Sequence, residues 1–326
     1  MTLRSLLIVL LVVSLMLMGL GLSMGSAGWM DIYRVWSSPL DHRIMVEIRA
    51  PRVFGAWLVG ALLALAGAVA QGLFRNPLAE PYLLGSSSGA GLAVATWVSH
   101  TGSLALGSYW GGLLGQTGAA FVGSLAGVLL ALFLANGATH SLRLLLAGVV
   151  VGVVLGAVTQ LLMVMSADAW RTMQSFMLGS TAMLGWWACV TMGVIWVISL
   201  VLALLLSRVM DALTLGEDTA RSLGVPLGGA RAVLVGVLAL ATAAAVAQAG
   251  LVAFVGLVSP HLIRRLGQFR YAGLLLLSSL AGGVLLLAAD ILGRSLFAPT
   301  ELPVGVLTAV LGGSYLLWLM HRRPLA

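Results

Sequence analysis

Residues 49–91 read RAPRVFGAWLVGALLALAGAVAQGLFRNPLAEPYLLGSSSGAG. Between Arg52 and Arg75 no residue carries a formal charge, and Gln71 is the one strongly polar side chain. About 20 such residues, rising 1.5 Å each as a helix, cross the ~30 Å hydrocarbon core of a bilayer. Pro51 suits the first turn of that helix, where its missing N–H has no intrahelical partner to lose. Asn76-Pro77 and Glu80-Pro81 then mark a turn. Pro81 can open a second helix, with Glu80 near its positive end. Ser86, Ser87 and Ser88, between Gly85, Gly89 and Gly91, form a small polar stretch that either lines a pathway or makes a tight helix contact.

The same pattern fills the chain. Apolar segments lie near 5–24, 53–72, 81–99, 111–135, 143–165, 186–206, 231–249, 251–266, 272–291 and 303–320. They predict an all-α, polytopic membrane bundle of about ten spans in a single domain, 1–326. The piece at 249–262 reads as a short span or a re-entrant segment. Composition agrees: 60% of the 326 residues are hydrophobic and 8% charged, against about 25% charged in soluble domains. Mean hydropathy is +1.09. The apolar run after Arg4 is longer than a signal-peptide core, and SMGSAGW is a poor cleavage site, so the run reads as a retained first span.

All 17 basic residues are arginine, and the net charge is +7. They stand singly or in pairs between apolar runs, which is membrane topology and not a nucleic-acid surface. With both termini cytoplasmic, the inside would hold Arg4, Arg75, Arg143, Arg208, Arg221, Arg231, Arg264, Arg265, Arg270, Arg322 and Arg323. The outside would hold Arg34, Arg43, Arg49, Arg52, Arg171 and Arg294. Eleven against six favours that orientation. The single cysteine, Cys189, excludes an intrachain disulfide and a cysteine-rich metal site. The five histidines show no ligand spacing.

Glycines at four-residue spacing (85/89, 123/127, 148/152/156) read as helix-packing stripes, because lipid gives helices no hydrophobic reason to associate and small residues must permit close approach. The longest hydrophilic stretch predicted inside, residues 207–231, reads as two short helices. Thr214 or a neighbour would cap the one holding Glu217, Asp218, Ala220, Arg221 and Leu223, and Gly224 would end it, with Pro226 beyond. Such a helix either docks a soluble partner or is a solvated loop. Asp290, near the outer end of the ninth segment, is expected to pair with Arg294. No G-x-x-x-x-G-K-[ST] loop, G-x-S-x-G or H-E-x-x-H is present, so the chain has no catalytic or ATP-binding signature of its own.

Five stretches in this order, RAPRVFGAWLVGALLALAGAVAQGLFRNPLAEPYLLGSSSGAG, LRLLLAGVVVG, LTLGEDTARSLGV, GLVAFVGLVSPHLIRRL and ELPVGVLTAVLGG, resemble the permeases of iron–siderophore, haem and cobalamin ABC importers, the FecCD-like family of type II importers. The match runs from about residue 49 to 313. It implies a transporter subunit of the bacterial inner membrane, working by alternating access as a homodimer. Two cytoplasmic ATPase subunits would lie below and a periplasmic binding protein above. ATP and Mg would be used by the ATPase, with no cofactor or metal on this chain. By the family's motifs, Leu215, Gly216, Glu217, Ala220, Arg221, Leu223 and Gly224 would face the ATPase, within coupling helices at about 211–230. Arg49, Arg52 and Arg294 would dock the binding protein, which would account for the outside arginine. Ser86, Ser87, Ser88, Thr139, His140 and Ser141 would belong to the pathway or gate. The substrate order implied is ferric siderophore, then cobalamin, then haem. The rival is an ion-driven secondary transporter, which would need carboxylates deep in the bundle.

Overall fold

The structure is a computed structural model and describes residues 2–25, 28–29, 38–101, 109–138, 140–222, 224 and 227–322. Thr139 and Leu223, both expected site residues, lie outside the described residues, as do Arg34, Pro226 and Arg323.

Each of the ten apolar segments contains a helix. In chain order the helices are α1 (Leu3–Ser23), α2 (Pro39–Arg43), α3 (Ala50–Leu73), α4 (Ser86–Thr101), α5 (Tyr109–Leu134), α6 (Ser141–Met165), α7 (Ala167–Leu178) and α8 (Trp186–Leu205). They continue with α9 (Ser207–Thr214), α10 (Glu217–Ser222), α11 (Leu227–Ala249), α12 (Val255–Leu266), α13 (Tyr271–Ser295) and α14 (Val304–Arg322). A two-residue antiparallel ladder, β1 (Met24–Gly25) with β2 (Gly28–Trp29), follows α1. Among the described residues seven helices are long and apolar enough to cross a membrane by length and composition; α4, α12 and α14 are the shorter members of the expected ten.

The bundle is built around α3. Of its most apolar 18-residue stretch 83% is buried, against 22% in those of α1 and α6, and α11 and α13 stand between at 67%. α3 packs on α13, α11, α12 and α8, while α4 joins α5, α6 and α7 into a second group. Glycine makes the central crossings possible. A Cβ on Gly60 would stand 2.2 Å from the Gly282 carbonyl, and one on Gly89 the same distance from Gly123. The 85/89 and 123/127 stripes are therefore a helix contact. In the third stripe Gly148 is packed tightly against the Leu83 carbonyl and Gly152 touches Ser88, whereas Gly156 faces open space. The outward faces are apolar: Val164, Phe133 and Leu142 are all more than 70% exposed. A water-soluble bundle has the opposite polarity.

Two elements depart from straight spans. Ile44–Arg49 is a π-helix that runs directly into α3, so Pro39–Leu73 is one continuous rod. The expected span at 251–266 becomes helical only at Val255, and its 12 residues rise ~18 Å, too little to cross alone. Gly250 and Phe254 both take positive φ and break the helix path between α11 and α12. The freed backbone groups find protein partners, as irregular backbone at membrane depth must. Leu251 N–H donates to the Phe176 carbonyl and Ser180 N–H to that of Ala249. Tyr82 Oη donates to the Val252 carbonyl (3.0 Å) and accepts from its N–H, and Glu80 Oε1 accepts from Phe254 N–H at 3.0 Å. Glu80 thus serves the N-terminus of α12 and not, as its place before Pro81 suggests, the helix that follows it. It reaches α12 because residues 74–80 turn back along α3. Gly256 packs on both Gly67 and Pro81, and Gly67 lies six residues, ~9 Å, before the end of α3.

Candidate functional site

One end of the bundle carries α9 and α10. Thr214 does not cap α10; its hydroxyl donates back to the Asp211 carbonyl at 2.6 Å. The chain instead enters α10 through Gly216 (φ +111°) and leaves it through Gly224 (φ +75°), conformations that cost glycine least. Ala220 is fully buried and packs with Leu213 and Leu227, seating the helix on α9 and α11. Leu215, Asp218 and Arg221 are exposed.

Glu217 holds this arrangement to the spans. Its Oε1 accepts from Arg231 at 2.5 Å and from the Ser141 hydroxyl at 3.3 Å, while Arg221 lies 3.7 Å from Oε2. Burial alone would raise the Glu217 carboxyl, but the Arg231 hydrogen bond and charge, aided by Ser141 and Arg221, outweigh it and hold the group below the ordinary carboxylate range. Ser141 also reaches the Leu73 carbonyl at the end of α3 (3.4 Å). One carboxylate therefore ties α10 to the first turns of α6 and α11, next to the end of α3. Arg231 was not singled out in the sequence. Its signal was a lone arginine one turn into an apolar run, and it proves to be 1% exposed. His140 is exposed and caps α6 without a side-chain hydrogen bond. Ser86 is buried against the Pro81 carbonyl, whereas Ser87 and Ser88 are half-buried. They do not join the Ser141 cluster.

The opposite end gathers Arg49, Arg52 and Arg294, but not as free surface cations. Arg49 is 7% exposed and donates to the carbonyls of Leu22 (3.0 Å), Ser23 (2.8 Å) and Gly28. Arg294 is 2% exposed and donates to those of Gly21 and Met24, both at 3.1 Å. The two arginines satisfy the open carbonyl end of α1, which has no basic residue in its own last turn. Gly21 and Gly25 make room for the guanidinium groups. Asp290, 1% exposed, lies 2.9 Å from both Arg294 and Arg52, and the Thr181 hydroxyl donates to it at 2.5 Å. The Arg294 contact is an ion pair without hydrogen-bond alignment. Arg52 also binds Glu301 at 2.9 Å, and these two keep the most exposure in the group. The excess of arginine at this end is explained first by capping and pairing inside the chain. The Asp290–Arg294 pair expected from the sequence is present.

Among the described residues no group of three histidine, cysteine or carboxylate side chains could hold a metal ion.

The fold has a close solved counterpart, described as an inward-facing conformation of a metal-chelate type ABC transporter. Its TM-score is 0.86 at 26% identity, over 98% of this chain and 100% of that one. The chain is 38% identical to the hemin transport system permease protein HmuU of Yersinia pestis, over 96% of this chain and 94% of the relative. It is equally identical to the vitamin B12 import system permease protein BtuC of Escherichia coli O157:H7, over 88% and 86%. Residues 6–322, which include every helix that meets at the two charged ends, match the FecCD transport family, and the chain belongs to it.

Proposed function

We propose that the chain is the membrane-spanning subunit of an ATP-driven importer that carries a metal chelate from periplasm to cytoplasm by alternating access. In this reading two copies enclose the pathway. α10 meets a cytoplasmic ATPase and the Arg52–Glu301 end meets a periplasmic binding protein. The observation that carries it is the Glu217 cluster. An exposed six-residue helix, rigidly tied by one carboxylate to two spans, is a device for passing motion from a soluble partner into the bundle. Arg49 and Arg294, locked against α1, act by positioning that outer surface, and Arg52 with Glu301 offers the accessible charge. The order of substrates remains ferric siderophore, cobalamin, haem; relatives named for hemin and vitamin B12 support the class.

An ion-driven carrier is disfavoured by the same geometry. Of the carboxylates placed within the bundle, Asp290 is held by two arginines and Glu80 by the backbone of α12. Neither is an open coupling site.

The test is reconstitution with the cognate ATPase in proteoliposomes, offering a ferric siderophore, cobalamin and haem with their binding proteins. Uptake should require ATP, and the Glu217→Ala/Arg221→Ala chain should hydrolyse ATP without uptake or lose the ATPase. Uptake that needs no ATPase and follows an ion gradient overturns the assignment.

A further inference from the structure

A second feature lies away from both charged ends. Between α12, α13 and α14 the structure has an open recess of about 220 Å³, lined by Val258, Leu285, Ala289, Leu311 and Tyr315 among others. Its walls are almost wholly apolar. Two lining side chains carry hydroxyls: that of Thr308 donates to the Gly305 carbonyl at 3.0 Å, whereas that of Tyr315 is buried and has no hydrogen-bond partner among the described residues. Buried hydroxyl groups are nearly always partnered in folded proteins, so a missing partner points to something that enters from outside the chain.

At the α10 end of this recess α12 closes on Arg264 and Arg265. Arg264 donates to Gln71 Oε1. Arg265 is exposed, stands 5.8 Å from the centre of the Trp318 ring, and forms no ion pair with a carboxylate among the described residues. Trp318 and Tyr315 are neighbours on α14, their rings 6.1 Å apart. A cation without an anion, aromatic rings of the interfacial type and an apolar recess thus follow one another along the membrane normal. That sequence of chemistries matches one molecule, a lipid with a negatively charged headgroup.

We propose that the recess between α12, α13 and α14 is a binding site for an anionic phospholipid, whose phosphate sits on Arg265 and whose acyl chain fills the cavity. The Tyr315 hydroxyl, at the junction, donates to an ester carbonyl of the glycerol backbone. A zwitterionic headgroup offers the same phosphate but brings a cationic group beside Arg265, so the site discriminates by net headgroup charge and not by chain. A second copy of this chain laid on the same face would cover the recess with protein, and the experiment separates the two occupants.

The intact chain is purified in mild detergent with equal amounts of phosphatidylglycerol and phosphatidylcholine, and retained lipid is counted by native mass spectrometry. Phosphatidylglycerol should be retained at least fivefold over phosphatidylcholine. Arg265→Gln should bring the ratio close to one, Arg270→Gln should leave it unchanged, and Val258→Phe should lower retention of both lipids. A Tm within a few degrees of the parent shows that each variant is folded. Equal retention of the two lipids by the parent chain overturns the proposal. So does a loss of preference in Arg270→Gln as large as in Arg265→Gln, which would mean diffuse surface charge. Efficient disulfide cross-linking of a Cys189→Ala/Leu311→Cys chain to a second copy, undiminished by phosphatidylglycerol, also overturns it by giving the face a protein occupant.

Discussion

Glu217 and Asp290 are the two carboxylates on which the ends of the bundle depend, and they respond differently to substitution. Glu217 faces Arg231, which is 1% exposed, but is itself 27% exposed. Breaking a buried ion pair by removing one partner costs about 3–5 kcal/mol, and partial solvation of Glu217 reduces this to about 2 kcal/mol. Glu217→Ala should lower the Tm of the purified chain by several degrees. The pH dependence follows from its depressed ionisation. A carboxyl held below its unfolded value adds stability that is fully present above that value, 4.5 here, and is lost as pH falls through the folded one. The Tm gap between Glu217→Ala and the parent should therefore be constant from pH 8 to 6 and close below pH 4.5. Asp290 neutralises two arginines in a site from which water is excluded, so Asp290→Asn should cost more, about 3–5 kcal/mol, although it keeps the size of the side chain. Equal melting of Asp290→Asn and the parent would show that the arginines find other anions.

At the scale of elements, the helices are positioned by backbone approach more than by side-chain bulk. A Cβ on Gly67 would lie 1.8 Å from the Gly256 carbonyl, and neither backbone can yield without moving α3 or α12. Gly67→Ala should fail to give monodisperse protein, whereas Gly156→Ala, with open space around it, should be recovered at parental yield. Size-exclusion profiles of fluorescent fusions decide this directly. The α11–α12 break has a second requirement, since its backbone groups depend on Glu80 and Tyr82. Gln at position 80 keeps an oxygen that can accept from Phe254 N–H, and Ala does not. Glu80→Gln should melt near the parent, and Glu80→Ala should lose about 1–3 kcal/mol, the cost of leaving a buried donor unsatisfied. If both variants lose the same amount, it is the charge and not the hydrogen bond that holds α12.

For the molecule as a whole, the two charged ends are joined by the same helices. α3 runs from Arg52 to the neighbourhood of Ser141, and α13 from the Asp211-capped Tyr271 to Asp290 and Arg294. In the proposed mechanism, motion delivered at α10 would reach the opposite end through α3 and α13, which pack along each other. A chain with Glu301→Gln frees one side of Arg52 while Asp290 still holds the other. It should bind an acidic docking partner severalfold more tightly, read as a slower dissociation of the binding protein from the reconstituted complex. Unchanged dissociation would place the docking contacts elsewhere on this face.

The class of the molecule is legible in the chain alone. A 22-residue uncharged run, repeated with variations along 326 residues, admits one solvent, and the all-α membrane bundle follows from the need to satisfy every backbone group internally. The chain alone also located the end of α10 through Gly224, though not its start, and the Asp290–Arg294 pair through their four-residue spacing, because both are local and helix geometry fixes local neighbours. Tertiary structure alone decided what is distant in sequence. Arg49 and Arg294 serve carbonyls of α1, Glu80 serves α12 rather than its own following helix, and Arg231 with Ser141 binds Glu217. A charged side chain in an apolar chain must find a partner, but which one depends on how the helices cross, and the glycines that set those crossings look alike in the sequence.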